Sequence, residues 1–268
     1  MKKALVYIIL IVFAIAFIYP FFWMLVASIS PETEIGTLTF LPTHFTLHNY
    51  ISMFGKIPIG RALLNSVFVS TVITFSVIFF SAMVGYALAK TKFIGRDFIF
   101  YIIIFTMTLP FQITLIPNYI TMVKLGWVDQ YAALIIPFVV NNFAILLFRQ
   151  AFMSMPQALI DAARIDGCND MRIIFQVLFP SIIPTIVTVG ILTFMSTWNE
   201  VLWPLIVIRD ESLMTMPQLV TLFSVGGRAD NQLGVKLASA VLLALPIIIA
   251  YIFFQKYFIQ SMASSGIK

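Results

Sequence analysis

Charge is what this chain has least of. Asp, Glu, Lys and Arg make up 10 % of its 268 residues, where soluble domains run at roughly 25 %. Hydrophobic residues fill 61 %, more than a soluble globule can hide. Cys168 is the single cysteine, so no disulfide forms within the chain. His44 and His48 are the two histidines. Their i, i+4 spacing suits a metal on a helix, but the nearby Pro42, the Thr-rich context and the lack of a third ligand favour an ordinary loop. No Ser/His/Asp or Cys/His set stands out and no G-x-x-x-x-G-K-[ST] occurs, which argues against an enzyme and against a phosphate-cradling loop of its own. The net charge of +5 is spread along the chain, without the basic run or aromatic pattern of a nucleic-acid reader.

What is present is apolar length. A hydrocarbon core of about 30 Å needs about 20 apolar residues per helix. Six stretches qualify, 4–27, 63–89, 98–116, 131–148, 182–208 and 237–258, with the fourth interrupted by Pro137, Asn141 and Asn142. Little is left for a soluble domain, so residues 1–268 read as one polytopic all-α membrane unit. The first stretch follows Lys2 and Lys3 but is longer than the 7–15 residues of a signal-peptide core and lacks a nearby small-residue cleavage site, which makes it a permanent anchor. With the N-terminus inside, the inner segments hold Lys2, Lys3, Lys90, Lys92, Arg96, Arg149, Arg164, Arg172, Lys256 and Lys268. The outer ones hold Lys56, Arg61, Lys124, Arg209, Arg228 and Lys236. This bias places both termini in the cytoplasm.

Between the fourth and fifth stretches lies a charged amphipathic island, 155–184, reading MPQALIDAARIDGCNDMRIIFQVLFPSIIP. Ser154-x-x-Gln157 has the spacing of a capping box, and Pro156 suits a first helical turn. Ala158, Leu159, Ala162, Ala163 and Ile165 are expected on one side, with Gln157, Asp161 and Arg164 on the other. Gly167 is a natural stop. Asn169 or Asp170 can cap a second short helix with Ile173, Ile174, Val177 and Leu178 opposite Arg172 and Gln176. Pro180 and Pro184 bound the return to the membrane. Residue chemistry alone leaves two readings open: a helix seated in a protein groove through its small Ala162-Ala163 face, or one lying on lipid headgroups.

Asp161-Ala162-Ala163-x-x-Asp166-Gly167, followed by Leu178-Phe179-Pro180, resembles the EAA loop of ABC-importer inner-membrane permeases, with Asp161 where the family has Glu. The run DAARIDG, the Trp198-Asn199-Glu200-x-x-Trp203-Pro204-Leu205 segment and the ending SMASSGIK resemble the carbohydrate-uptake branch, and within it the second permease subunit of a maltose-type importer. The resemblance implies six transmembrane helices with a cytoplasmic coupling helix between the fourth and fifth. It implies a homologous permease partner, two ATPase subunits that hold ATP and Mg, and a solute-binding protein outside. This chain itself would bind no cofactor. Asp161, Ala162, Ala163, Arg164, Asp166 and Gly167 would meet the ATPase.

Polar groups inside apolar spans are costly and often functional. Asn65, Gln112, Asn118, Asn141, Asn142, Asn199 and Glu200 are candidates for a passage. Trp198 and Trp203 have the faces to stack on sugars, although interhelical hydrogen bonds and an interfacial aromatic belt explain the same residues. Pro137 and Pro204 can kink their spans. The outer segment 209–235, with Gly226-Gly227, Arg228, Asp230 and Asn231, reads as a docking loop or a solvated connector. Two other cargo or class readings stand beside a sugar permease: a permease for glycerol-phosphate or another polar solute, and an ion-coupled secondary transporter. The latter calls for several intramembrane acids, of which only Glu200 is present.

Overall fold

A computed structural model describes residues 2–36, 41–225 and 232–266. In chain order its α-helices are α1 (Lys2–Ser28), α2 (His48–Lys56), α3 (Ile59–Lys90), α4 (Arg96–Met107), α5 (Phe111–Lys124), α6 (Tyr131–Ile135), α7 (Asn142–Met153), α8 (Gln157–Ile165), α9 (Asp170–Arg172), α10 (Ile183–Trp198), α11 (Leu202–Val207), α12 (Met216–Val225) and α13 (Leu233–Gly266). No strand occurs among the described residues. Four helical runs are long and apolar enough to cross a membrane: Leu5–Ser28, Ile59–Lys90, Asp170–Trp198 and Leu233–Phe253. Two bent pairs bring the number of crossings to as many as six.

A bend corrects the uninterrupted span expected at 98–116, and the kink expected near Pro137 in 131–148 is present. Between α4 and α5 the axis turns by 101°. Pro110 sits before α5 in extended backbone, φ −61° and ψ 139°. Its ring removes a donor and disfavours helix at Leu109. Between the Tyr131–Phe138 run and α7 the bend is 41°. There α6 tightens into a 3-10 turn at Ile136–Phe138 around Pro137, and α7 restarts where Asn141 Oδ1 accepts from the Ala144 N–H at 3.0 Å.

The fifth candidate helix is also shifted. It runs over Asp170–Trp198, where 182–208 is expected. Pro180 and Pro184 do not end the helix; they lie inside a continuous helical stretch. A π-helical segment at Ile173–Leu178 and a 3-10 turn at Phe179–Ile182 precede α10. Each proline lacks the N–H that a regular ladder needs, and the chain accommodates this by widening and then tightening its turns instead of ending.

α3 is the central element and packs mainly against α7 and α10. Its inward face is small: Ser66, Ser70, Ser81, Ala82 and Gly85 are buried. Small residues allow helix backbones to approach in lipid, and Gly85 shows how far this goes. A Cβ there would lie 2.8 Å from the Phe148 Cβ and 2.9 Å from the Arg149 backbone nitrogen. α1 and α4 do the opposite. Leu5, Ile8, Phe13 and Phe17 of α1 are exposed, and α4 buries no residue at all. Surfaces this apolar need lipid or another subunit to cover them.

At the Arg61 end of α3 the helix ends and connections are held by side-chain caps. Glu32 accepts from the Leu233 and Gly234 N–H groups, at 2.5 and 2.8 Å, at the start of α13. Asp129 accepts from the Arg209 and Asp210 N–H groups at 2.5 and 3.0 Å. Asn65 donates to the carbonyls of Ser212 and Met214 and accepts from the Tyr131 hydroxyl at 2.7 Å. Asn65 thus fastens α3 to the 212–214 segment and to Tyr131 at the start of α6.

Gly85→Ala should force α3 and α7 apart. Overpacking of this kind costs about 1–3 kcal/mol, and thermal unfolding of the purified transporter should show a lower midpoint with unchanged subunit composition.

Candidate functional site

The island is organised around α8. Its start differs from the expected capping box. Ser154 belongs to the end of α7, where its hydroxyl donates to the Ala151 carbonyl at 2.7 Å. Pro156 occupies the position before α8, with no side-chain cap. Its fixed φ of −60° sets the entry angle that a cap would otherwise set. The other end is as expected. Gly167 has φ +78°. Its N–H reaches the Arg164 carbonyl at 3.0 Å, and the Cys168 N–H reaches that of Ala163 at 2.9 Å, the paired bonds of a Schellman stop. Asn169 Oδ1 then accepts from the Arg172 N–H at 2.9 Å and opens the next helical run.

The faces of α8 are arranged differently from the sequence expectation. Ile160, 0 % exposed, and Ala163, 6 % exposed, are the buried pair. Ala158, Asp161, Ala162 and Ile165 form the opposite stripe at i, i+3, i+4 and i+7, and all four are exposed, Ile165 at 87 %. The two adjacent alanines therefore do different work. Ala163 seats the helix on its own chain, and Ala162 lies on the unpartnered side. Gln157 donates to Asp161 at 3.1 Å within the helix. Asp166 is the exposed residue that ends it.

Three side-chain links fasten α8 to the spans. Lys90, the last residue of α3, donates to the Met155 carbonyl at 2.7 Å. The Tyr86 hydroxyl donates to Asp170 at 3.2 Å. Arg164 reaches the same Asp170 oxygen at 3.3 Å. The hydrogen bond to Asp170, with Tyr86 beside it, raises the Arg164 guanidinium above its ordinary pKa. An aromatic column continues into the bundle. Tyr86 meets Phe152 edge-on, Phe152 stacks on Phe148, Phe148 on Phe179, Phe179 meets Phe175, and Phe175 stacks on Phe79. Sequence reasoning missed Ile160, Tyr86 and Lys90. The helical period could have paired Ile160 with Ala163; nothing local signals the other two.

Deeper in the bundle, the Trp198–Trp203 segment is a helix break. Asn199 Nδ2 donates to the Met195 carbonyl at 2.8 Å, and Glu200 Oε1 accepts from the Trp203 N–H at 3.1 Å. These contacts close α10 and open α11. Both indoles are enclosed by the bundle, and Trp203 borders the same small cavity as Glu200. Trp198 is 0 % and Trp203 1 % exposed, and their N–H groups donate to the carbonyls of Leu243 and Ala133 at 3.1 and 2.8 Å. These hydrogen bonds hold both side chains in place within the bundle. Asn142 donates to Thr106 at 2.9 Å and ties α7 to α4. Asn141 lines a cavity of about 330 Å³ together with Thr193, Ser196 and Thr197. Glu200 borders a smaller neighbouring cavity with Ser196 and Thr197. The i, i+3, i+4 spacing of Thr193, Ser196 and Thr197 on an apolar helix was a readable signal that sequence analysis overlooked. Gln112 and Asn118 line neither cavity.

The 209–235 segment is not simply polar. It contains α12, where Met216, Pro217, Gln218, Leu219, Val220 and Phe223 are buried, and Gln218 donates to the Ile208 carbonyl at 2.7 Å. Gly226-Gly227, Arg228, Asp230 and Asn231 lie outside the described residues. His44 sits 3.9 Å from Glu34, and among the described residues no group of three metal-ligating side chains occurs.

A polytopic helical bundle with broken spans, a mostly apolar cavity edged by Asn141, Thr193, Ser196 and Thr197, and a fastened helix at one end is the architecture of a membrane transport subunit. Residues 78–264 match the family described as "Binding-protein-dependent transport system inner membrane component", and the chain belongs to that family. It is 39 % identical over 262 residues to the arabinooligosaccharides transport system permease protein AraQ of Halalkalibacterium halodurans, covering 95 % of this chain and 93 % of that one. The sn-glycerol-3-phosphate transport system permease protein UgpE of Pectobacterium atrosepticum is 28 % identical, covering 97 % and 95 %. A crystal structure of a bacterial ABC transporter involved in the import of the acidic polysaccharide alginate contains a chain that matches with a TM-score of 0.83 at 27 % identity, covering 96 % of each chain. The chain is therefore an inner-membrane permease subunit and not an enzyme, and membership of the family implies a solute-binding protein and an ATPase as partners.

Lys90→Met should loosen α8 without unfolding the spans. A hydrogen bond to a charged group contributes about 1.5–3 kcal/mol, so amide exchange across 157–165 should quicken by roughly tenfold or more, while exchange in the middle of α3 stays as it was.

Proposed function

We propose that this chain is one of two homologous permeases of an ATP-driven importer for a sugar or oligosaccharide, with both termini in the cytoplasm. The partner ATPase subunits hold ATP and Mg. Their contact is α8, through Ala158, Asp161, Ala162 and Ile165, with Arg164, Asp166 and Gly167 setting its end. Nucleotide-driven closure of the ATPases displaces α8. Lys90, Asp170 and the aromatic column carry that displacement into α3, α7 and α10, and the cavity beside Asn141 changes its access from one side to the other.

The observation that carries the coupling role is the exposed stripe on a helix fastened at both ends. A helix lying on headgroups would turn its large apolar residues towards the spans and lipid; α8 holds Ile165 and Ala162 away from its own bundle, ready for a groove. For cargo, the cavity lining of Asn141, Thr193, Ser196 and Thr197 supplies neutral donors and acceptors suited to hydroxyl groups. It holds no Lys or Arg, the residues a phosphate ester calls for, which favours a neutral sugar over a glycerol-phosphate-like solute. Glu200 supports the helix break beside this cavity.

The test is a cysteine at 162 or 165 in a Cys168→Ser background, in complex with the partner permease and an ATPase carrying cysteines along its cleft. Disulfides should form at both positions and change with ATP, while a cysteine at the buried 163 should react poorly. Absence of crosslinks at 162 and 165 in an assembled complex would remove the coupling role from α8. For cargo, Ser196→Ala with Thr197→Ala should lower sugar uptake several-fold, on the order of one lost hydrogen bond each, with the basal ATPase rate unchanged.

A further inference from the structure

The turn that joins α3 to α4 carries a feature the transport reading leaves unused. It runs Thr91-Lys92-Phe93-Ile94-Gly95 and reverses direction through Gly95 at φ +86°. Ile94, at its tip, is fully exposed at 104 %, with Phe93 and Phe98 exposed on either side. An open concavity of about 400 Å³ lies against this turn, lined by Lys92, Arg96 and Asp97 along with Phe93, Gly95 and Phe98.

We infer that this turn seats the headgroup of an anionic phospholipid, its phosphate between Lys92 and Arg96 and with Ile94 and Phe98 in the glycerol and upper acyl layer. Three observations lead there. α4 begins at this turn and buries none of its residues, so the cations stand where an outward-facing apolar surface starts. Lys92 has no ion pair among the described residues, and Arg96 shares only its Nε with Asp97, at 3.1 Å. Two cations and one carboxylate leave a single positive charge, the complement of one phosphodiester. One turn further along α4, the Arg149 guanidinium of α7 lies 3.8 Å over the Phe100 ring, a further cation near the start of α4. Water is a poor surrounding for the exposed Ile94 and Phe98, whereas the interface accepts an apolar tip beside basic residues.

The inference requires only that the chain is embedded in a membrane. It does not depend on the cargo or on the α8 contact, and its failure would leave both untouched. Ile94→Cys in a Cys168→Ser background, labelled with a small fluorophore, is placed in the assembled transporter in nanodiscs. Phosphatidylglycerol or phosphatidylcholine brominated near the carbonyl is the probe. Quenching should be stronger for phosphatidylglycerol. The Lys92→Gln/Arg96→Gln variant should lose that preference and retain phosphatidylglycerol about tenfold more weakly in native mass spectrometry, since both basic residues that attract an anionic surface are gone. The Lys92→Arg/Arg96→Lys variant should keep it, which separates charge from folding. Equal quenching by both lipids would overturn the proposal. So would a label that escapes both lipids and is instead shielded when the ATPase is added, the mark of a protein-docking turn.

Discussion

The approach of α3 to α7 at Gly85, close enough that a Cβ would fall 2.8 Å from that of Phe148, governs how the Arg164 end of the molecule is put together. Once the two helices are this near, Phe148 and Phe152 are driven into the bundle, both 0 % exposed, and Tyr86 is left one residue along α3 to meet Phe152 edge-on. Tyr86 then reaches Asp170, and Asp170 holds Arg164. Lys90, one turn further, closes on Met155. Each link alone is modest, and a half-exposed ion pair such as Arg164–Asp170 contributes little by itself. Together they make α8 part of the same rigid body as the spans, which is what an element that transmits displacement requires.

Backbone satisfaction is the second constraint. In lipid an unpaired peptide group costs several kcal/mol, so every break in a span needs a local substitute. Asn141 supplies one where α7 restarts, and Asn199 with Glu200 supplies two where α10 gives way to α11. At Pro180 and Pro184 no polar side chain is used; the helix changes pitch through a π-helical and then a 3-10 segment. The polar residues that mark the spans in the sequence thus divide into two groups. Some repair the backbone or fasten helices, as Asn65 and Asn142 do. Others, Thr193, Ser196 and Thr197, border open volume beside Asn141.

This division explains why the 155–184 island was more legible than the interior. Gly167 and Asn169 act within a few residues of themselves, so their effect could be read from order alone. Trp198 and Trp203 could not be placed that way. An indole is suited equally to stacking on a ligand and to packing, and the choice fell to carbonyls at Leu243 and Ala133, far along the chain. The α8 faces show the same limit. Ala162 and Ala163 are chemically identical, and only the position of Ile160 relative to the spans decides which of them is buried.

By itself the sequence determined that the chain is an apolar, all-α, multi-crossing unit with a charged helical island and a glycine stop, because hydrophobic run length and helix-end chemistry are local properties. Its motif residues also carried the family. Tertiary structure decided where the crossings bend, how the prolines at 180 and 184 are absorbed into one helix, which side of α8 is free, and which polar groups face a cavity. Those outcomes depend on pairs such as Tyr86 with Asp170 and Asn65 with Met214, separated by 84 and 149 residues. A packing choice between such distant partners leaves no periodic trace in the order of residues.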